Sequence, residues 1–163
     1  MVIISLILVS ILILIVCYVI KINRRKDIMS LKESLDLTGV PIVTFTQDDV
    51  KYNFLLDTGS DVSYINSTIV NNIKNEPTNR SLGGLISAEG LNTKSIIVIK
   101  IPFVYKKTAF AEDFAVVDLT DAFAQIKEEN GVTLHGILGN TFFTKYGYIL
   151  DFKELKFYTK SFI

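Results

Sequence analysis

The chain reads as all-β: a small closed β-barrel with one or two short helices, preceded by a single N-terminal transmembrane helix. Three observations predict this. From Gly39 onward the apolar runs are short and separated by turn-forming residues. Only a few brief segments carry helix start and stop signals. Residues 2–20, VIISLILVSILILIVCYVI, contain no charged side chain. We divide the 163 residues into a transmembrane anchor over 1–20, a basic and polar juxtamembrane linker over 21–38, and one folded domain over 39–163. Many short strands within about 120 residues favour closure into a barrel, which leaves no open sheet edge.

As a helix, residues 2–20 would rise about 28 Å at ~1.5 Å per residue, close to the hydrocarbon thickness of a bilayer. No Lys or Arg precedes the run and no small-residue cleavage pattern follows it, which argues against a removed signal peptide. Lys21, Arg24, Arg25 and Lys26 follow directly in KINRRK. Positive charge stays on the cytoplasmic side. The expected localisation is therefore single-pass in the membrane, with the N-terminus outside, the folded domain cytoplasmic and the lipid bilayer a partner through residues 2–20. Cys17 reads as a small apolar residue of that span.

The linker holds DIMSLKESL, which has the pattern of a short amphipathic helix near the membrane surface. VPIVTFT and VKYNFLLD flank QDD and read as a hairpin. DVSYI is a strand, and NSTIVNNIKN a loop or one helical turn. LGGLISAEGLNTKSIIVIKIPFVY is a Gly-rich turn region leading into a long strand, and AFAEDFAVVDL returns as another. TDAFAQIKEENG has a Thr or Asp cap, apolar Ala122, Phe123 and Ile126, and a terminal Gly131, so it is the best helix candidate. LHGILGN is a very short apolar strand. NTFFTKYG, with an Asn cap and a Gly stop, is a short helix, and YILDFKELKFYT closes the chain as a hairpin. Phe142, Phe143, Phe152 and Phe157 read as core.

Composition excludes several functions. The chain carries 17 basic and 17 acidic side chains, so there is no general attraction to nucleic acid. One cysteine permits no internal disulfide and no multi-cysteine zinc site. One histidine, His135, leaves no partner imidazole for a metal cluster and reads as a polar strand-end residue. We expect no metal and no cofactor.

The stretch that carries chemistry is FLLDTGSDVSYI, Phe54 to Ile65. An isolated Asp, with a pKa of about 4, is a poor base and no acid at neutral pH. Two carboxylates sharing one proton solve both problems, because like charges at close range cannot both ionise. One then activates water while the other protonates a substrate carbonyl. Gly59 lets backbone amides approach the carboxylate, and Thr58 and Ser60 offer hydroxyls to orient it. No second Asp-Thr/Ser-Gly occurs in the chain. A dyad therefore needs two copies, with Asp57 facing its counterpart across a two-fold axis.

LLDTGSD, followed far along the chain by HGILGN, resembles the retropepsin-like aspartic proteases, the family of the retroviral proteases. The resemblance runs from about Val40 to Tyr158 and implies an acid-protease barrel. It implies that Asp57 is the catalytic aspartate, with Thr58 bracing the two loops across the dimer and Gly59 facing the substrate backbone. Ser60 and Asp61 fall at substrate-side positions. Ile137, Leu138 and Gly139 match the apolar-apolar-Gly segment that supports the loop, and NTFFTKYG matches the helix after it. Asn140 stands where the family carries an arginine partner for the substrate-side aspartate. A Gly-rich flap is best matched by GGLISAEG, with Ser87, Ala88, Glu89 and Gly90 near its tip and contacting substrate.

Two functions remain open at this level. One is a membrane-anchored, homodimeric aspartic endopeptidase acting on peptide or protein substrates. The other is a non-catalytic module of the same fold at the membrane that dimerises or holds an extended peptide by β-addition. An intact Asp57-Thr58-Gly59 favours the first.

Overall fold

The computed structural model describes residues 9–15, 30–83, 85–87, 90–92 and 95–159, with only the backbone described over 85–87 and 90–92. Residues 9–15 are helical and exposed. Among the described residues no helix is long and apolar enough to cross a membrane. This overturns the expected single-pass localisation with a cytoplasmic domain. The rest of the 2–20 run, Cys17 and the basic KINRRK lie outside the described residues.

The first helix, α1 (Leu31–Thr38), falls within the stretch expected to be a linker. Ser30 caps it, accepting from the Glu33 amide, while the Glu33 carboxylate takes the Ser30 amide. This reciprocal box satisfies two amides that a helix start otherwise leaves without partners. Its inner face is docked on the barrel rather than turned to a surface. Leu31 and Ser34 are buried, and the Ser34 hydroxyl accepts from the Ile42 amide at 2.9 Å.

The barrel begins with β1 (Ile42–Gln47) and β2 (Val50–Leu56), the hairpin expected from the sequence. Asp48 and Asp49 turn it with φ of 49° and 65°, a left-handed pair that matches the twist of adjoining strands. β3 (Ser63–Asn66) runs into a 3-10 helix, Ser67–Asn72. β4 (Glu76–Leu82) follows, mostly exposed. Its EPTNRS composition has no apolar alternation, and sequence reading assigns no element there. β5 (Leu85–Ser87) and β6 (Gly90–Asn92) pair as a small separate hairpin. β7 (Ile96–Tyr105) and β8 (Thr108–Val117) form the longest ladder. Then come α2 (Thr120–Asn130), β9 (Gly136–Leu138) and α3 (Asn140–Tyr146). The hairpin of β10 (Tyr148–Asp151) and β11 (Lys156–Thr159) ends the described chain.

Six strands, in the order β1-β2-β9-β3-β8-β7, close on themselves through Thr46 opposite Val104, and β4 adds to the outside of β7. The expected small closed barrel with short helices is therefore what forms. Its interior is aromatic. Phe45, Phe54, Phe103 and Phe114 are buried together, with Phe142 of α3 plugging one end. Phe45 and Phe54 meet edge to face, with ring centroids 5.7 Å apart, an arrangement that adds stability beyond the area buried. A second cluster of Ile42, Phe123, Val132 and Leu134 seats α2 on the outside.

The helices α2 and α3 stop at the expected glycines, Gly131 and Gly147, each with positive φ. Their starts differ from expectation. Asp118, not Thr120 or Asp121, accepts the first free amide of α2, from Thr120 at 3.0 Å. Gly139 occupies the cap position of α3, and the Asn140 side chain is used elsewhere. Phe152, expected in the core, sits in the β10–β11 turn and is 57% exposed.

Candidate active site

β2 and β9 lie side by side in parallel, with Leu56 opposite Leu138. Both strands end at the same level, and Asp57 is the first residue beyond β2. Its amide donates to the Leu138 carbonyl at 3.0 Å. Its carboxylate Oδ1 accepts from the Gly59 amide at 2.9 Å, and its carbonyl accepts from the Ser60 amide at 3.2 Å. Thr, Gly and Ser thus make a tight turn folded around the carboxylate. A Cβ at Gly59 would sit 3.2 Å from Asp57 Oδ1. Asp57 is half-buried, while Thr58, Gly59 and Asp61 are exposed.

The far side of the loop is fastened to the start of α3. Asn140 donates its amide to the Ser60 carbonyl at 2.7 Å, and its side chain Nδ2 to the Thr58 carbonyl at 2.7 Å. Thr141 donates to the Asp61 carbonyl at 3.2 Å. Asn140 thus holds the loop backbone with both its amide and its side chain. Backbone approaches so closely here that no side chain fits. A Cβ at Gly139 would lie 2.3 Å from the Val62 carbonyl oxygen and 2.7 Å from that of Ser60. Gly136 is equally constrained, 2.4 Å from the Tyr64 carbonyl oxygen. Sequence reading singled out Gly139 but not Gly136, although both glycines stand in HGILGN.

The structure therefore brings Asp57, Thr58, Gly59, Ser60, Asp61, Leu138 and Gly139 into one neighbourhood, with Ile137 beside them on β9. Ser87 and Gly90 face each other at the end of the β5–β6 hairpin, and Ala88 and Glu89 lie outside the described residues. Two side chains that sequence reading missed also belong here. Tyr64, on β3, has its hydroxyl pKa pushed up by burial first and then by the Asp61 charge. A hydrogen bond with Ser60 pulls it down, and the Asp57 charge raises it further. The second missed side chain is Glu112, 2% exposed on β8. Its Oε1 accepts from Ser63 Oγ and from Thr141 Oγ1, each at 3.2 Å. Its Oε2 lies 3.3 Å from Lys145 Nζ. Burial raises its pKa, against the lowering pull of Lys145, Ser63 and Thr141. Burial also works against the Lys145 ammonium, but its bond to Tyr146 and the charge of Glu112 outweigh it and raise that pKa.

A cleft of about 520 Å³ opens beside the loop, lined by Val62, Leu82, Val98 and Ala115 and edged by Arg80 and Lys145. His135 lies near the opposite ends of the same strands. Its Nδ1 accepts from the Asn53 amide at 2.9 Å, so the ring proton is on Nε2. Burial lowers its pKa, against the raising effect of that bond. Among the described residues no cluster of three or more His, Cys, Asp or Glu side chains could hold a metal ion.

No protein-family model and no curated protein sequence matches this chain. Among solved structures, the chain is similar to the EIAV protease complexed with the inhibitor HBY-793. The identity is 20%, over 66% of this chain and 88% of that one, with a TM-score of 0.42. It is also similar to the retroviral protease-like domain of Ddi1 from Leishmania major. There the identity is 11%, over 74% of this chain and 87% of that one, with a TM-score of 0.46. Likeness at these levels says nothing of activity, and the functional reading rests on the site's own geometry.

Proposed function

We propose that this chain is an aspartic endopeptidase that works as a homodimer, with one Asp57-Thr58-Gly59 loop from each subunit. The observation that carries this reading is the loop itself. A half-exposed carboxylate is held at the mouth of a barrel strand by backbone bonds from a segment far away in sequence. An ordinary surface turn needs no such fastening. One carboxylate per chain cannot supply both an acid and a base, so the second comes from a second copy. Across the two-fold axis the paired loops share one proton. One carboxylate removes a proton from water as it attacks the peptide carbonyl, and the other gives its proton to the carbonyl oxygen.

The exposed Thr58 hydroxyl is free to brace the opposite loop, and Gly59 leaves the substrate backbone room to approach. The cleft beside Val62 offers space for substrate side chains, and the β5–β6 hairpin is suited to cover them.

The test is cleavage of a peptide library by the purified chain from about pH 4 to about pH 7.5, beside an Asp57→Asn variant. Cleavage that disappears in the variant supports the reading. A folded dimer that cleaves nothing at any of these pH values would instead favour a peptide-binding module.

A further inference from the structure

Glu112 is the only buried carboxylate among the described residues, and the mechanism above does not use it. It alternates along β8 with Phe110 and Phe114, both in the aromatic core. A carboxylate placed there is costly unless its oxygens are bonded. Two hydroxyls, from Ser63 and Thr141, converge on one oxygen, and Lys145 covers the other. The Ser63 hydroxyl has a single proton, which it gives to Glu112. Its oxygen is then turned to accept, and it takes the Gly139 amide at 3.2 Å.

That amide and the Leu138 carbonyl belong to one planar peptide unit. The carbonyl side of the plane accepts the Asp57 amide at 3.0 Å. A single line of bonds therefore runs from Glu112 through the Ser63 hydroxyl and the Leu138–Gly139 peptide to Asp57. Each bond polarises the next. Thr141 adds a second tie, because its own amide holds the Asp61 carbonyl.

We propose that Glu112 is a positioning residue for Asp57: its buried carboxylate sets the direction of the Ser63 hydroxyl and so fixes the peptide plane from which the Asp57 loop hangs. Without an acceptor at position 112 the hydroxyl can rotate, and the Gly139 amide loses a defined partner. The plane can then tilt, and Asp57 with it. The catalytic consequence rests on Asp57 being the proton-transferring group. The positional consequence does not.

The test uses the full chain with Glu112→Ala, Glu112→Gln and Ser63→Ala. Gln keeps an oxygen acceptor for both hydroxyls and removes only the charge facing Lys145. Amide hydrogen exchange is followed at Asp57 and Gly139, with Ile101 of β7 as the reference. Steady-state cleavage is measured on a peptide selected by the wild type. Glu112→Ala should speed exchange at Asp57 and Gly139 about tenfold more than at Ile101, and lower kcat by a similar factor with KM nearly unchanged. Ser63→Ala should loosen the same two amides. Glu112→Gln should restore both exchange and kcat to within about threefold of wild type. Should Glu112→Ala not fold, Glu112→Gln and Ser63→Ala carry the comparison alone.

Exchange at Asp57 and Gly139 that rises no more than at Ile101 overturns the proposal. So does a Gln variant that folds but is as loose as Ser63→Ala. If wild type cleaves nothing while the amides respond as stated, the proteolytic reading falls and the positioning role stands. If Asp57-dependent cleavage is present but neither amide nor kcat responds, the positioning role falls alone.

Discussion

Two connections in this barrel invite comparison: the Asp57–Val62 loop after β2 and the Lys106–Lys107 turn between β7 and β8. The second is held only by the strands it joins, with Tyr105 opposite Thr108. It places two lysines at φ of 46° and 72°, where Asn-Gly would sit with less strain. The first is tied to a segment remote in sequence by three backbone amides and one side chain, with glycines wherever a Cβ would collide. Strain at the lysine turn is local and tolerated. At Asp57 the surroundings leave the chain no alternative course. The difference teaches how the two turns are specified: one that only connects is left to its neighbours, while the one that carries Asp57 is overdetermined, as the proposed role of its carboxylate requires.

The largest expected effect breaks the fastening. Gly139→Ala would drive a methyl into the Val62 and Ser60 carbonyls, and we expect a loss of about 3 kcal/mol or more in denaturant unfolding. Activity should fall with it. Phe54→Ala should cost a comparable amount, about 3–5 kcal/mol, by opening the core beneath β2. It serves as a control, since its damage is not directed at the loop. Asn140→Ala removes one side-chain bond and should cost only about 1 kcal/mol. If the bond positions the loop, however, kcat should drop more than stability would suggest.

At the lysine turn the sign reverses. Replacing Lys106 and Lys107 by Asn and Gly should stabilise by about 0.5–1 kcal/mol, seen as a higher denaturation midpoint, and leave cleavage unchanged.

A pH prediction concerns the other ends of the same strands. His135 is held neutral, with its folded pKa below the ordinary 6.5. The unfolded chain therefore binds the proton first as pH falls, and stability should decline below about pH 6.5. His135→Gln should flatten that part of the stability–pH curve. An unchanged slope would mean that the burial of this ring is not what makes stability fall with pH.

The sequence spoke most clearly where long-range constraint is strongest. Gly139 was legible in the apolar-apolar-Gly run, and no Cβ fits there beside the Val62 and Ser60 carbonyls; the Asp57-Thr58-Gly59 turn was legible as turn-forming residues directly after an apolar strand. The β1–β2 hairpin and the glycine-terminated helices were legible because their signals are local. β4 was not, since it is an exposed outer strand whose polar composition carries no period. The Lys106–Lys107 turn was not, because lysine is no turn signal. Glu112 was hidden for another reason: in AFAEDFAVV it alternates like any surface acid, and only the closed barrel reveals that this face points inward. α1 was read as lying near the membrane surface, whereas its buried Leu31 and Ser34 belong to the barrel.

The most direct test of the central claim mixes subunits. Wild-type chain and Asp57→Asn chain are allowed to exchange at varying mole fractions, and cleavage is measured at constant total protein. If each site needs Asp57 from both copies, activity falls with the square of the wild-type fraction, to about one quarter at equal amounts. A linear decline to about one half would mean that each subunit acts alone, and that would contradict the shared dyad on which this account is built.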